Sequence, residues 1–303
     1  MDLAPVVMFV YNRPRHTEQT LKALAANTLA GQSELYIYAD GPKTDASAET
    51  IAQIKEVRKI IRERKWCSEV NIVESDVNRG LANSIINGVT SMVNRFGKVI
   101  VLEDDLITHP FFLTYINHYL NVYQNEEQVI SIYGYLYPVK KKIDAPFFLK
   151  GADCWGWATW KRGWDLFEAD GQLLLNEISQ RNLSKEFNFD NSYDFTSLLR
   201  AQVQGEVDSW AIRWYASAFL LNKLTLYPPV SLINNIGFDG SGTHRDNINA
   251  ELNTLPFDSF DLKKVDISEN KTNKKQIELF FKGDPAPLKS VIKKIISRYV
   301  RKG

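Results

Sequence analysis

Three consecutive carboxylates, Glu103-Asp104-Asp105, close the apolar run Val99-Ile100-Val101-Leu102. Acids at the end of a buried strand gather negative charge where neither water nor backbone readily neutralises it, which is costly unless a cation joins them. Hard oxygen ligands of this kind suit Mn2+ or Mg2+, ions that take few protein ligands and leave places for substrate phosphates. The plainer reading is an acidic helix N-cap, because Pro110 follows Asp105 by only a few residues. The strand-terminal position speaks for a metal–nucleotide site.

Three further segments carry chemistry in their pattern. Gly237-Phe238-Asp239-Gly240-Ser241-Gly242-Thr243-His244 is a glycine-rich loop able to approach a phosphate closely, and His244 at its end could ligate a metal or donate to a phosphate. On its own, a histidine in such a loop is equally well explained by simple exposure. The run Trp155-Gly156-Trp157-Ala158-Thr159-Trp160 continues to Trp164. Indole faces stack on the apolar faces of sugars, yet positions 157, 160 and 164 also share one helical face. The expectation is therefore that Trp160 and Trp164 are buried and that Trp155, Gly156 and Trp157 stand at the site. Glu206-Val207-Asp208-Ser209-Trp210 opens a helical pattern, so Asp208 or Ser209 reads as its N-cap, whereas a functional Asp208 would be a general base for a hydroxyl nucleophile. On these residues alone the cap is the better account. His16, His109 and His118 fall on or beside helical patterns and are expected to be structural.

The elements that must position these residues are short apolar runs alternating with amphipathic stretches. Strands are predicted at Val6–Val10, Leu35–Ala39, Val70–Glu74, Val99–Leu102 and Val129–Tyr133, and helices at Arg15–Ala26, Ala48–Arg64, Leu81–Phe96 and Phe111–Tyr123. Strands separated by helices imply right-handed βαβ units and a parallel sheet. Asn12-Arg13, Asp40-Gly41, Asn78-Arg79-Gly80 and the acidic triplet each follow one of these strands, and ligands of open α/β sheets bind beyond the carboxyl ends of strands. Helices are expected over 171–180, 191–204 and from Trp210, with apolar runs at Leu224–Tyr227 and Val230–Ile233 completing the sheet. Residues 262–277 read as a polar linker, and Leu288, Val291, Ile292, Ile295, Ile296, Tyr299 and Val300 form an apolar stripe in a basic tail.

Composition bounds the function. The 303 residues hold 37 Lys+Arg against 36 Asp+Glu, a net charge of +1 that excludes a whole-protein electrostatic grip on nucleic acid. Hydrophobic residues make up 44%, which excludes a disordered chain. Cys67 and Cys154 are too few for a disulfide framework, and the N-terminus lacks a signal pattern, so a cytoplasmic protein is expected and the sequons at Asn182 and Asn270 read as chance matches.

Taken together, Asn12-Arg13, Asp40-Gly41, Asn78-Arg79-Gly80-Leu81, Glu103-Asp104-Asp105-Leu106 with Pro110-Phe111-Phe112, Gly156-Trp157, Asp208-Ser209-Trp210 and the loop ending in His244 resemble glycosyltransferases of the GT-A fold. The pattern is most similar to inverting enzymes of the N-acetylglucosaminyltransferase-I type and bacterial sugar transferases. The resemblance runs over roughly residues 5–245 and implies an α/β fold with a mainly parallel central sheet flanked by helices. It implies one catalytic domain over 1–255, with a nucleotide-sugar half over 1–135 and an acceptor half over 136–255, followed by linker and tail over 256–303.

Roles follow from the resemblance residue by residue. Asp105 would bind Mn2+ (or Mg2+), with His244 as a further ligand or a cover over the diphosphate. Asp104 would face the ribose or the metal's waters, and Glu103 the donor sugar. Asn12, Arg13 and Asp40 would hold the nucleoside, Arg79 would lie near the diphosphate, and Trp155, Gly156 and Trp157 would shape the sugar and acceptor pocket. Asp208 becomes the catalytic base of an inverting transfer from a nucleotide-diphosphate sugar, expected to be UDP-linked, to a glycan or lipid-linked acceptor. Ser209 stands where a second acid is often found, and no membrane anchor is seen. The tail supplies six basic residues, and an anionic membrane surface is an expected partner, as is simple docking of a C-terminal helix. A non-catalytic sugar-nucleotide or glycan-binding module is the alternative. A sugar-1-phosphate nucleotidyltransferase fits less well, because Tyr11-Asn12-Arg13-Pro14 is not the glycine-rich loop such enzymes carry after the first strand.

Overall fold

A computed structural model describes residues 2–237 and 261–283. In the first half β1 (Val6–Val10), α1 (Pro14–Ala25), β2 (Glu34–Ala39), α2 (Ala48–Ile60), β3 (Glu69–Glu74), α3 (Leu81–Phe96) and β4 (Lys98–Glu103) alternate as the apolar runs predict. Every residue of β1 is buried, as are Val99–Glu103 of β4, because a parallel strand covered on both faces reads as a continuous apolar run. These strands pair in parallel in the order β3-β2-β1-β4. The chain thus steps one way from β1 to β3 and returns to β4 on the other side of β1. A crevice opens where the order reverses, at the carboxyl ends of β1 and β4, and right-handed crossovers put α1 and α2 on the face opposite α3. The register sets Phe9 beside Glu103 and Val10 beside Ala39, so the three strand ends are level.

The second half comprises β5 (Leu106–Thr108), α4 (Phe112–Val122), β6 (Val129–Tyr133), β7 (Phe147–Lys150), β8 (Trp157–Trp160), α5 (Lys161–Trp164), α6 (Gly171–Gln180), α7 (Ser184–Phe187), α8 (Phe195–Val203), α9 (Trp210–Leu220), β9 (Leu224–Tyr227), β10 (Ile233–Asn235) and α10 (Lys271–Gly283). The sheet continues β4-β8-β6-β9-β7 to eight strands, with β8 and β7 running against the rest. The result is the mixed α/β architecture that the sequence predicts, a large and mainly parallel sheet flanked by helices.

Two expectations are overturned. Trp157, Trp160 and Trp164 do not share a helix: Trp157–Trp160 is the strand β8, pairing Trp157 with both Val101 and Tyr133. The slot between β4 and β6 overrides the helical spacing, and the chain turns at Lys161 so that Trp157 and Trp164 still meet at 5.7 Å between ring centroids. Residues 262–277 are not a linker either. Tyr119 and Tyr123 donate their hydroxyls to the carbonyls of Lys263 and Val265, both at 3.0 Å, and Glu269 bridges to Phe148 along the β7 edge. An exposed strand edge is thereby covered. Helix α10 follows, burying Ile277 and Phe281, and the Phe281 ring packs among Tyr137, Phe189, Tyr193 and Phe195. Among the described residues no helix is long and apolar enough to cross a membrane. His244 and the basic stripe 288–302 lie outside the described residues.

Candidate active site

The acidic triplet sits at the crevice between β1 and β4. Glu103, Asp104 and Asp105 are 2%, 5% and 1% exposed, a depth at which carboxylates need a counter-charge. Arg13, just beyond β1, supplies one. Its Nε donates to Asp104 Oδ2 at 3.1 Å, its Nη2 reaches Asp104 Oδ1, and its Nη1 lies 3.0 Å from Asp105 Oδ2. The side chain expected to hold a nucleoside is therefore turned onto the acids. Thr20 of α1 donates its hydroxyl to the Asp104 carbonyl at 2.8 Å and fixes the turn. The acidic N-cap reading fails, because the triplet runs into β5 and the N-cap of α4 is Phe111, which makes no side-chain cap.

The small antiparallel sheet of β5 and β10 brings a second segment over these acids. The Ile236 amide donates to the Asp105 carbonyl at 2.9 Å, and the Gly237 amide donates to Asn235 Oδ1 at 2.9 Å. A Cβ on Gly237 would fall 2.0 Å from Asp105 Oδ2, so only glycine fits against the carboxylate. The start of the glycine-rich segment thus lies directly on Asp105. Nearby, His16 Nε2 approaches the Ile236 carbonyl at 3.3 Å, a neighbour of the site that its helical position did not reveal. The oxygen donors of Asp104, Asp105 and Asn235 are chemically suited to Mn2+ or Mg2+. Among the described residues no group of three His, Cys, Asp or Glu side chains is arranged to hold a metal ion by itself.

Asp40 makes contacts that the sequence did not show. Its carboxylate accepts the amides of Gly41 at 2.9 Å, Arg79 at 2.9 Å and Gly80 at 3.1 Å, and the Asn78 side-chain amide at 3.1 Å. It ties the loop after β3 to the end of β2 and shapes the site through that loop. Arg79 Nε donates to Ser75 Oγ at 3.1 Å, and Asn12 turns to Gln53 of α2 at 3.4 Å. A groove beside this loop is lined by Tyr38, Asp40, Val73, Ser75, Arg79 and Asn87.

At the start of α9, Ser209 is the cap: its hydroxyl accepts the Ile212 amide at 3.3 Å. Asp208 is relieved of capping. Its carboxylate is 38% exposed, 3.9 Å from Arg213 Nη2, and its Oδ2 stands 3.9 Å from where a Cβ would project on Gly80. Trp155, Gly156 and Trp157, by contrast, are all buried. Trp157 packs against Trp210 and Trp214, Trp155 against Tyr135, and a Cβ on Gly156 would fall 2.5 Å from Ile233. Their aromatic surface fills the core and does not form the expected pocket wall.

One polar cluster escaped the sequence. At the carboxyl ends of β6 and β9, Asp153 Oδ2 accepts the hydroxyls of Tyr137 at 2.8 Å and Tyr227 at 3.2 Å, and Oδ1 accepts the Cys154 amide at 3.1 Å. Burial pushes its pKa up to about 6 against the pull of those hydrogen bonds. The alternation Tyr133-Gly134-Tyr135-Leu136-Tyr137 was the available signal. Burial likewise lowers the pKa of His109 and His118.

No family model and no curated protein matches the chain in sequence. Among solved structures it is similar to S. aureus TarS 1–349, at 10% identity and a TM-score of 0.39, covering 77% of this chain and 59% of that one. It is also similar to glucosyl-3-phosphoglycerate synthase from Mycobacterium tuberculosis in complex with Mn2+, UDP and glucosyl-3-phosphoglycerate (12% identity, TM-score 0.34, 59% and 66% covered). A third is a UDP-glucose pyrophosphorylase complexed with UDP-glucose (12%, 0.32, 55% and 79%). The chain spans only 36% of a longer TarS structure. Likeness this distant carries neither activity nor substrate over to this chain.

Proposed function

We propose that the chain is a nucleotide-sugar-dependent glycosyltransferase of the GT-A type, inverting in mechanism, with Asp208 as general base. The observation that carries this reading is the pairing of two unlike carboxylate environments at one end of the sheet. Asp104 and Asp105 are buried and held by a cation, as a site for a donor diphosphate and its counter-ion requires. Asp208 is half-exposed, does no capping and lies beside the Gly80 turn with Arg213 at 3.9 Å, as a base meeting an incoming hydroxyl requires.

In this reading Asp105, helped by Asp104, holds Mn2+ or Mg2+, Glu103 faces the donor sugar, and His244 adds a ligand or cover from outside the described residues. A bound divalent cation would neutralise charge on the departing nucleotide diphosphate. Asp208 accepts the proton of the acceptor hydroxyl as its oxygen forms the new bond to the anomeric carbon and the diphosphate leaves from the opposite face. Asp40 keeps the 78–80 loop in place while this happens. The donor is taken to be a UDP-sugar, the acceptor a glycan or lipid-linked glycan, and the setting the cytoplasmic side of an anionic membrane.

The test is nucleotide release from a panel of UDP- and GDP-sugars, with and without Mn2+. A transferase releases the nucleotide slowly by hydrolysis of its own donor and faster with a matching acceptor. Binding without any turnover of any donor, under every acceptor tried, would favour the non-catalytic module.

A further inference from the structure

We propose that Arg13 is a built-in rival of the divalent cation: its guanidinium and the metal compete for the same oxygens of Asp104 and Asp105, so that metal entry requires Arg13 to let go. The identification of these acids as the metal site rests on the transferase reading above. The competition itself rests on geometry. All three guanidinium nitrogens are engaged, Nε and Nη2 as a fork on Asp104 and Nη1 on Asp105, which is the bidentate arrangement that makes arginine–carboxylate pairs strong. The arginine side chain is itself only 16% exposed, so the contact is screened little by water.

Charge then decides the order of events. Three carboxylates and one guanidinium sum to −2, which suits one divalent ion in charge but not in space, since Arg13 lies against both carboxylates. A cation bound to Asp105 Oδ2 would stand beside the guanidinium, and two positive charges that close repel strongly in a partly buried site. Gly237 crowds the same oxygen, since a Cβ there would fall 2.0 Å from it. Metal alone should therefore bind weakly, because Arg13 already occupies the oxygens of Asp104 and Asp105 that the ion would need. A metal brought in with a diphosphate would bind better, because the phosphates offer the displaced guanidinium a new anionic partner.

The experiment titrates Mn2+ alone, without nucleotide, into the wild-type chain, Arg13→Gln and Arg13→Lys, followed by electron paramagnetic resonance. Arg13→Gln should bind Mn2+ at least about tenfold tighter than wild type, and Arg13→Lys, which keeps the charge and loses the fork, should fall between them. Melting curves give a second readout that needs no affinity fit: Mn2+ should raise the Tm of Arg13→Gln more than that of wild type. Equal or weaker Mn2+ binding in both variants would overturn the proposal, as would failure of either variant to bind the ion at all. Because turnover is not read, a chain that never transfers sugar but tightens on Mn2+ when Arg13 is replaced would sink the transferase reading and leave this competition standing.

Discussion

The Ser209 hydroxyl accepts the Ile212 amide hydrogen at 3.3 Å, which makes Ser209 and not Asp208 the N-cap of α9. The two acid-or-hydroxyl candidates that sequence alone could not separate are thereby given different work. One holds a helix, and the other is left beside the Gly80 turn with a half-exposed carboxylate.

That division makes a double prediction. Asp208→Asn should lower kcat by about 10²–10⁴-fold, with donor affinity and Tm nearly unchanged, because it removes a base and no cap. Ser209→Ala should do the reverse, costing about 1 kcal/mol of stability with little change in turnover of the folded enzyme. Steady-state kinetics and thermal melts of both variants check this, and near-normal turnover in Asp208→Asn would remove it from the chemistry.

Asp153 makes stability depend on pH. Its folded pKa is raised to about 6, chiefly by burial, so its contribution is fully present below the unfolded value and is lost as pH rises through about 6. At pH 7.5 the ionised carboxylate is a cost, and Asp153→Asn should be more stable than wild type by an amount on the order of 2 kcal/mol. The gap should shrink as pH falls toward the unfolded value of a carboxyl group. Denaturant melts of both proteins across that range measure it, and a variant less stable at pH 7.5 would contradict the burial account.

Gly156 has φ +64 and no room for a Cβ against Ile233. Gly156→Ala should therefore destabilise by about 2–4 kcal/mol through strain and overpacking. Donor affinity of the folded fraction should not change, since the segment is core. A variant with normal Tm and weakened sugar binding would restore the tryptophan run to the pocket.

The first half of the fold was legible because buried parallel strands are unbroken apolar runs, and their polar ends mark the crevice without any knowledge of pairing. Val6–Val10 and Leu81–Phe96 appear with the bounds their residues suggest. Long-range pairing hid the rest. Strand β8 forms only because Trp157 finds Val101 on one side and Tyr133 on the other, partners far away in the chain. Asp153 acquires its surroundings from β6 and β9 in the same way. Helix α10 was concealed by the polar run Lys271-Thr272-Asn273-Lys274-Lys275-Gln276, whose apolar continuation has its partners at Tyr137 and Phe189. At the site itself, residue types were readable and directions were not. Asp40 and Arg13 both stand at strand ends, yet one faces backbone amides and the other faces acids.

The central claim is that the strand-terminal acids form a metal-dependent site for a nucleotide diphosphate. Calorimetry of UDP binding with and without Mn2+, on the wild-type chain and on Asp105→Asn, tests it most directly. The account predicts that Mn2+ tightens UDP binding to wild type by about tenfold or more, and that this gain disappears in Asp105→Asn while the protein stays folded. Equal Mn2+-dependent affinity in the two proteins, or no binding of UDP or GDP to either, would contradict it.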